Sequence, residues 1–433
     1  MQRAEIRFSL KDHSQFKNQI LNWAQTFDSA IWLDSNEHHE KYSQYEGVLA
    51  VGEYKTIKSG SENSFEKIKN FQSKIKDYIF GYFSYDLKND VENISSNNYD
   101  GLKFPELFFF QPKKIIFIQG NTVIFKYLND FKEEIQNDFR AITNTTLKNI
   151  PKTNTNIDIK SRITPKQYLS KVQKVLDHIH RGDIYEANFC QEFYSEKSTL
   201  NPIETYQKLN SISRPPFATF LKFNHCYLLS ASPERYLKKI GSKIISQPIK
   251  GTAGRSNSLT KDLALKKALE ADPKEQAENI MIVDLVRNDL SRQAFKGSVK
   301  VEELCKVYSF KQVHQMISTV VSKTPNEIHP VDVIKNSYPM GSMTGAPKIA
   351  AMKIIEELEE TKRGLYSGSV GYFSPNGDFD FNVIIRSILY NEQEEYISFS
   401  VGSAITSLSV PEKELEECLL KAKAMRQVLL NSK

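Results

Sequence analysis

Residues 217–249 read FATFLKFNHCYLLSASPERYLKKIGSKIISQPI. Three short runs rich in apolar, β-branched and aromatic residues, FATFLKF, CYLLSAS and IISQPI, follow one another with no helical pattern between them. Strands joined directly form meanders, and meanders build antiparallel sheets. The habit continues outward. IYEANFCQEF (184–193) precedes the stretch; SVKVEEL (298–304), HQMISTVV (314–321), SGSVGYFS (367–374), FDFNVIIRSILY (379–390) and EYISFSVGSAIT (395–406) follow it. Helical patterns are few and long: 259–272, 273–290, 345–360 and 411–430. TPKQYLSKVQKVLDHIHRGD (164–183) adds one with a Thr cap and a proline in its first turn. The expected class is α+β, mainly antiparallel with outer helices, rather than a βαβ repeat.

The N-terminal part mixes the two. FKNQILNWAQTF (16–27) and FEKIKNFQSKIKDYIF (65–80) read as helices; GVLAVGEY, IFGYFSYDL, LFFF, IIFI and TVIFKY read as short strands. Residues 142–165 are polar and aperiodic, a connector between an N-terminal region (1–145) and a second region (160–430).

Composition narrows the function classes. With 26 Phe and 20 Tyr the chain has ample core-forming surface, so disorder is excluded. A net charge of +6 over 433 residues, without a basic tract, points to no nucleic acid. Four scattered cysteines form no CxxC pair and fit a reducing cytosol. MQRAEIRFSLKDH has no signal-peptide core, and FPELFFFQPKKIIFIQG, interrupted by Pro112, Lys113 and Lys114, is too short for a membrane span. The expectation is a cytoplasmic protein with no membrane partner.

Several residues could carry chemistry. Glu275 and Glu278 lie three apart in a helical pattern, as do Glu414 and Glu417, so each pair shares a helix face. Two such faces meeting would form an all-oxygen site suited to Mg²⁺; a solvated helix face is the plain alternative. Lys250, after a strand and before Gly251, can act as a nucleophile if desolvation and cationic neighbours lower its pKa; otherwise it is a turn lysine. Glu234, at a strand end, serves as a general acid if burial raises its pKa, and otherwise pairs with Arg235 or Lys238. GSMTGAPK (341–348) is no P-loop, because Ala346 and Pro347 interrupt the Gly-Lys-Ser/Thr order. It reads as a turn into a helix with Pro347 at the first helical position. Arg386, inside an apolar strand pattern, demands an anionic partner. Tyr366 and the Gly402-Ser403-Ala404 turn could complete an anion site. His314 reads as a packed histidine, and His178 with His180 as surface.

Taken in order, GDIYEANFCQEF, SASPERY, PIKGT, ENIMIVDLVRNDLSR, GSMTGAPKIAAMKIIEELE, YSGSVGYFS, IIRS and PEKELEECLLKA resemble the chorismate-utilising enzymes, the anthranilate synthase and aminodeoxychorismate synthase component I family. The resemblance covers about residues 160–428 strongly and the N-terminal part loosely. It implies sheets packed as a sandwich, Mg²⁺ as cofactor and chorismate as substrate. PIKGT, rather than PIAGT, is similar to the aminodeoxychorismate synthases. Lys250 then resembles a nucleophile attacking C2 of chorismate, and Glu234 the acid that protonates the departing C4 hydroxyl, before ammonia aminates C4 and expels the lysine. Glu278 and Glu417 resemble direct Mg²⁺ ligands, with Glu275 and Glu414 holding metal-bound waters. Tyr366, Arg386, the Gly402 backbone and Lys421 resemble carboxylate-binding groups, and Thr344 and Gln315 fall on substrate-binding positions. Three residues depart from the family pattern: Gln315 replaces a histidine, Glu186 stands where relatives carry Gln or Lys, and Ala404 replaces a glycine. Gln315 cannot shuttle a proton, which weakens lyase activity, and the absence of a lysine at 186 disfavours isochorismate formation. An anthranilate synthase component I is the alternative reading. No glutamine-hydrolysing motif surrounds any cysteine, so a separate glutamine amidotransferase subunit is the expected ammonia source. SRPPFATF and IWLDS loosely resemble the region that holds tryptophan in family members.

Overall fold

The computed structural model describes residues 2–38, 41–145, 157–311 and 313–430. Residues 146–156 of the expected connector lie outside the described residues; the helix Ile135–Thr143 and the short strand Lys160–Ser161 stand on either side.

The meander expectation holds. Phe217–Phe223 pairs antiparallel with Cys226–Ser232, and Arg235–Ile240 with Lys243–Gln247. Arg235–Ile240 was not legible as a strand because RYLKKI carries three charges. Its Lys238 nevertheless points inward, 1% exposed, with its ammonium 2.7 Å from Asp380. Among the described residues twenty strands join in one hydrogen-bonded network. Period-two alternation feeds two cores: on Gly47–Ser59, Val48 and Ala50 enter one, Leu49 and Val51 the other. Pairs between Ser29–Asp34 and Phe217–Phe223, and between Ile79–Phe83 and Ser369–Phe373, cross the division read at 145/160. The two regions thus share their sheet.

Three local readings are corrected. LFFF and IIFI belong to one strand, Leu107–Gln119, that runs through Pro112. Opposite Pro112 the register shifts next to Glu53, so the ring's missing donor falls at an irregularity. Lys114 is neutralised by Glu134 and Asp138 at 2.5 and 2.6 Å. FDFNVIIRSILY divides into Phe379–Val383 and Ser387–Asn391, and Arg386 lies in the gap with a left-handed φ of 54°. Pro347 is the cap rather than the first residue of the helix Lys348–Leu358. Before it, Gly345 and Ala346 pair with Ala187 and Glu186, which ties the GSMTGA turn to the strand Glu186–Ser195.

Helix ends follow the sequence signals. Thr164 and Gln167 form a capping box for Pro165–His180, an arrangement worth about 1 kcal/mol. Asp272 caps Pro273–Ser291 by accepting from the Lys274 and Glu275 amides. That helix turns Glu278, Asn279, Ile282, Val283 and Val286 inward at three- and four-residue steps. The helix Pro411–Leu430 packs on the strand Tyr396–Ile405, so both acidic pairs reach the same end of the sheet.

Candidate active site

Lys250 lies on the strand Ile249–Gly254, at a register break against Val313–Lys323 that spans Ile249 to Thr252. The bulge turns its side chain inward, where Nζ sits 3.0 Å from Oε1 of Glu186. Asn279 fixes the turn from the facing helix by donating to the Lys250 and Met316 carbonyls, both at 3.2 Å. Among the described residues, the charges that act most on it are carboxylates rather than the expected cations. Burial opposes the lysine's charge, but Glu186, Glu278 and Glu234 outweigh it and raise the pKa. The resting group is therefore an ammonium, opposite to the expectation of a lowered pKa.

Glu234 behaves as a general acid should. Burial pushes its carboxyl up to about 7, against the opposing effects of Ser342, Lys250 and the Ile249 backbone. Ser342 Oγ donates to Oε1 at 2.7 Å. The salt-bridge alternative fails, because Arg235 and Lys238 both pair with Asp380.

Both acidic pairs occupy helix faces as expected, Glu275 and Glu278 on Pro273–Ser291 and Glu414 and Glu417 on Pro411–Leu430. Gly251, at a φ of 94°, lets Glu275 come close: a Cβ there would lie 3.1 Å from its Oε2. Burial raises the Glu278 carboxyl to about 7. Burial and the Glu417 charge raise Glu275 as well. Glu417 is pushed up by burial but held below the usual range by Lys421, whose ammonium lies 2.5 Å away. Glu414 accepts from Ser403 Oγ. Lys274 stands between the pairs, 3.5 Å from Glu278 and 3.6 Å from Glu414, with its charge sustained by all four carboxylates.

The groups expected to bind anions include several that lie nearby. Half-buried Arg386 finds no carboxylate at salt-bridge distance among the described residues and donates to the Lys421 carbonyl at 3.1 Å. Burial lowers its pKa, while Tyr366 and Glu417 oppose that. A guanidinium so placed favours an incoming anion. Tyr366 is buried, with its hydroxyl 3.8 Å from Cys190 Sγ. Gly402 is required where it stands, since a Cβ would lie 2.5 Å from that sulfur; its carbonyl takes the Lys421 ammonium at 2.9 Å. Gln315 is buried beside this group of strands with Oε1 lacking a hydrogen bond. Thr344 is buried too, but its hydroxyl donates within its own turn, to Met340 and Gly341. At the start of the next helix, Lys348 is tied to Asp289 and the Ser337 carbonyl. His314 is packed between Asp262 and Ser309, as expected.

Sequence reasoning missed Ser342, Asn279 and Lys274. Lys274 was findable: four residues before Glu278, it shares that helix face. Among the described residues no three His, Cys, Asp or Glu side chains are grouped so that they could hold a metal ion as they stand. The donor set still suits a hard cation. It is all oxygen, Glu278 Oε1 is buried without a hydrogen bond, and a lysine ammonium already occupies the gap.

Comparison with known proteins agrees with this geometry. The chorismate binding enzyme family matches residues 28–427. The chain is 34% identical to the chloroplastic aminodeoxychorismate synthase of Arabidopsis thaliana over 97% of its own length but only 47% of that protein. It is 29% identical to anthranilate synthase component 1 of Aquifex aeolicus, over 92% of this chain and 89% of that one. The anthranilate synthase component I structure from Streptococcus pneumoniae superposes with a TM-score of 0.78 at 24% identity, over 90% of this chain and 94% of that one, a likeness of fold. No helix among the described residues is long and apolar enough to cross a membrane. Match, fold and clustered residues together place the chain in the chorismate binding enzyme family.

Proposed function

We propose that this chain is the chorismate-aminating component of an aminodeoxychorismate synthase, forming 4-amino-4-deoxychorismate for 4-aminobenzoate and folate synthesis. One observation carries the reading: Lys250, its side chain only 11% exposed, lies close enough to Glu234, an acid poised near pH 7, for the two charges to interact. Lys250 supplies the nitrogen that bonds to C2; Glu234 gives its proton to the departing C4 hydroxyl. Ammonia then takes C4 and the lysine leaves. Arg386, Tyr366, the Gly402 backbone and Lys421 orient the substrate carboxylates, with Gln315 and Thr344 lining the same region. Glu278 and Glu417 would hold Mg²⁺ directly, with Glu275 and Glu414 acting through its waters. When bound, Mg²⁺ neutralises the ring carboxylate and fixes its position.

The names of relatives support the reading, although the chain spans under half of the Arabidopsis protein. We assign ammonia supply to a separate glutamine amidotransferase subunit and the location to the cytosol, consistent with four unbridged cysteines. The second reading, anthranilate synthase component I, is favoured by the near full-length Aquifex relative; it would aminate C2 and release pyruvate. Product analysis from chorismate, Mg²⁺ and ammonium decides. Aminodeoxychorismate is expected, whereas anthranilate with pyruvate would overturn the proposal.

A further inference from the structure

Lys250 must lose a proton before it can attack, yet it sits among carboxylates that keep it an ammonium. Those facing it are Glu186 from the strand Glu186–Ser195, Glu278 from its helix, Glu234 from the strand end and Glu417 from the last helix. Only Glu186 is in hydrogen-bond contact with it, at 3.0 Å. Glu186 itself is 1% exposed, and its second oxygen, Oε2, is buried without a hydrogen-bond partner. Its strand is held on both sides, by Tyr396–Ile405 from Ala187 onward and by Gly345–Ala346, with Ala346 opposite Glu186 itself, so the backbone that carries the carboxylate is fixed. A buried carboxylate oxygen without a partner is costly, so Glu186 has an acceptor site still open. Moving one proton from Nζ to Glu186 turns a buried ion pair into a neutral pair with no change in net charge.

We propose that Glu186 is the base that frees Lys250 for attack and returns its proton when the lysine is expelled. This rests on the covalent-lysine reading above. In the first half, an Nζ–H bond breaks and Glu186 gains the proton. The Nζ lone pair bonds to C2, the two ring double bonds shift, and the C4–O bond breaks. Glu234 protonates the hydroxyl, which departs as water. In the second half, the nitrogen of ammonia bonds to C4, the double bonds shift back, and the C2–N bond breaks. The released amine recovers its proton from Glu186, and the new C4 ammonium gives one to Glu234. Glu186 is distinct from a mere tether, because a glutamine could accept the Lys250 hydrogen bond but not its proton.

The test is single-turnover adduct formation with the full chain, chorismate and Mg²⁺ but no ammonia, read by intact mass as a gain of chorismate minus water. Glu186→Gln should form the adduct about 100-fold more slowly at neutral pH, with the deficit narrowing as pH rises and solvent removes the proton instead. Glu186→Asp, which keeps a carboxylate, should retain the wild-type pH dependence at a reduced rate. Chorismate binding at equilibrium and melting temperature, measured alongside, check that both variants fold. A Gln variant within about threefold of wild type at neutral pH, or Asp and Gln variants with the same profile, would overturn the assignment and leave the covalent reading intact. A wild-type protein that turns chorismate over without any adduct would overturn both.

Discussion

The two ends of the candidate site are both acidic, and they are built differently. At the Lys250 end every reacting group is fixed by backbone or short polar contacts: Glu186 by two strand pairings, Glu234 by Ser342, Lys250 by a bulge and by Asn279. At the four-glutamate end the carboxylates face one another from separate helices, and Lys274, a long flexible side chain, fills the space at 3.5 and 3.6 Å. One end is organised before substrate arrives; the other, on the proposed reading, would be completed by a cation. Covalent and proton-transfer chemistry tolerates little misplacement, whereas metal sites form as ligand and ion come together.

The comparison can be broken most decisively at Lys250. Lys250→Ala should lose C4 amination by about 1000-fold or more, as removal of a nucleophile does, while chorismate binding persists; full activity with ammonium would refute the nucleophile. Next in size is Glu234→Gln, expected to cost about 100-fold or more in kcat. The wild-type pH profile carries the sign. Glu234 must be protonated to act, so with a pKa of about 7 the rate should fall as pH rises through 7. An unchanged basic limb in the Gln variant would show that another group sets it. Glu278→Gln should weaken Mn²⁺ binding, followed by electron paramagnetic resonance, by about 10- to 100-fold, the scale seen when support around a metal ligand is removed. Lys274→Met tests the stand-in cation: Mn²⁺ should bind several-fold tighter once the competing ammonium is gone, and equal or weaker binding would refute that role. The smallest effect is Ser342→Ala. Ser342 lowers the Glu234 pKa, so its loss should move the basic limb upward, with a rate change of a few-fold, the worth of about 1 kcal/mol for one hydrogen bond.

The legible part of this site was local. Three-residue spacing announced the acidic pairs because a helix repeats within one turn, and PIKGT announced Lys250 because a glycine-rich bend marks a close approach. What stayed hidden was set by partners distant in sequence. Glu186 meets Lys250 across 64 residues, and no pattern near either predicts a base beside the nucleophile. Arg386 read as a strand residue because its flanks are apolar; its left-handed backbone depends on how two strands separate. The strand Arg235–Ile240 was concealed by inward lysine, whose compensating Asp380 lies far along the chain. Burial of charge is a tertiary event, and local propensity does not record it.

The strand pairings that cross from the first region into the second have a consequence for how this chain can change over time. Ser29–Asp34 and Ile79–Phe83 join the catalytic sheet through main-chain hydrogen bonds, which do not read side-chain identity. Any sequence that keeps the alternation of buried faces can occupy those positions. The N-terminal region is free to drift in composition while its strands stay indispensable, so deleting it would leave the edge of Phe217–Phe223 uncovered and prone to self-association.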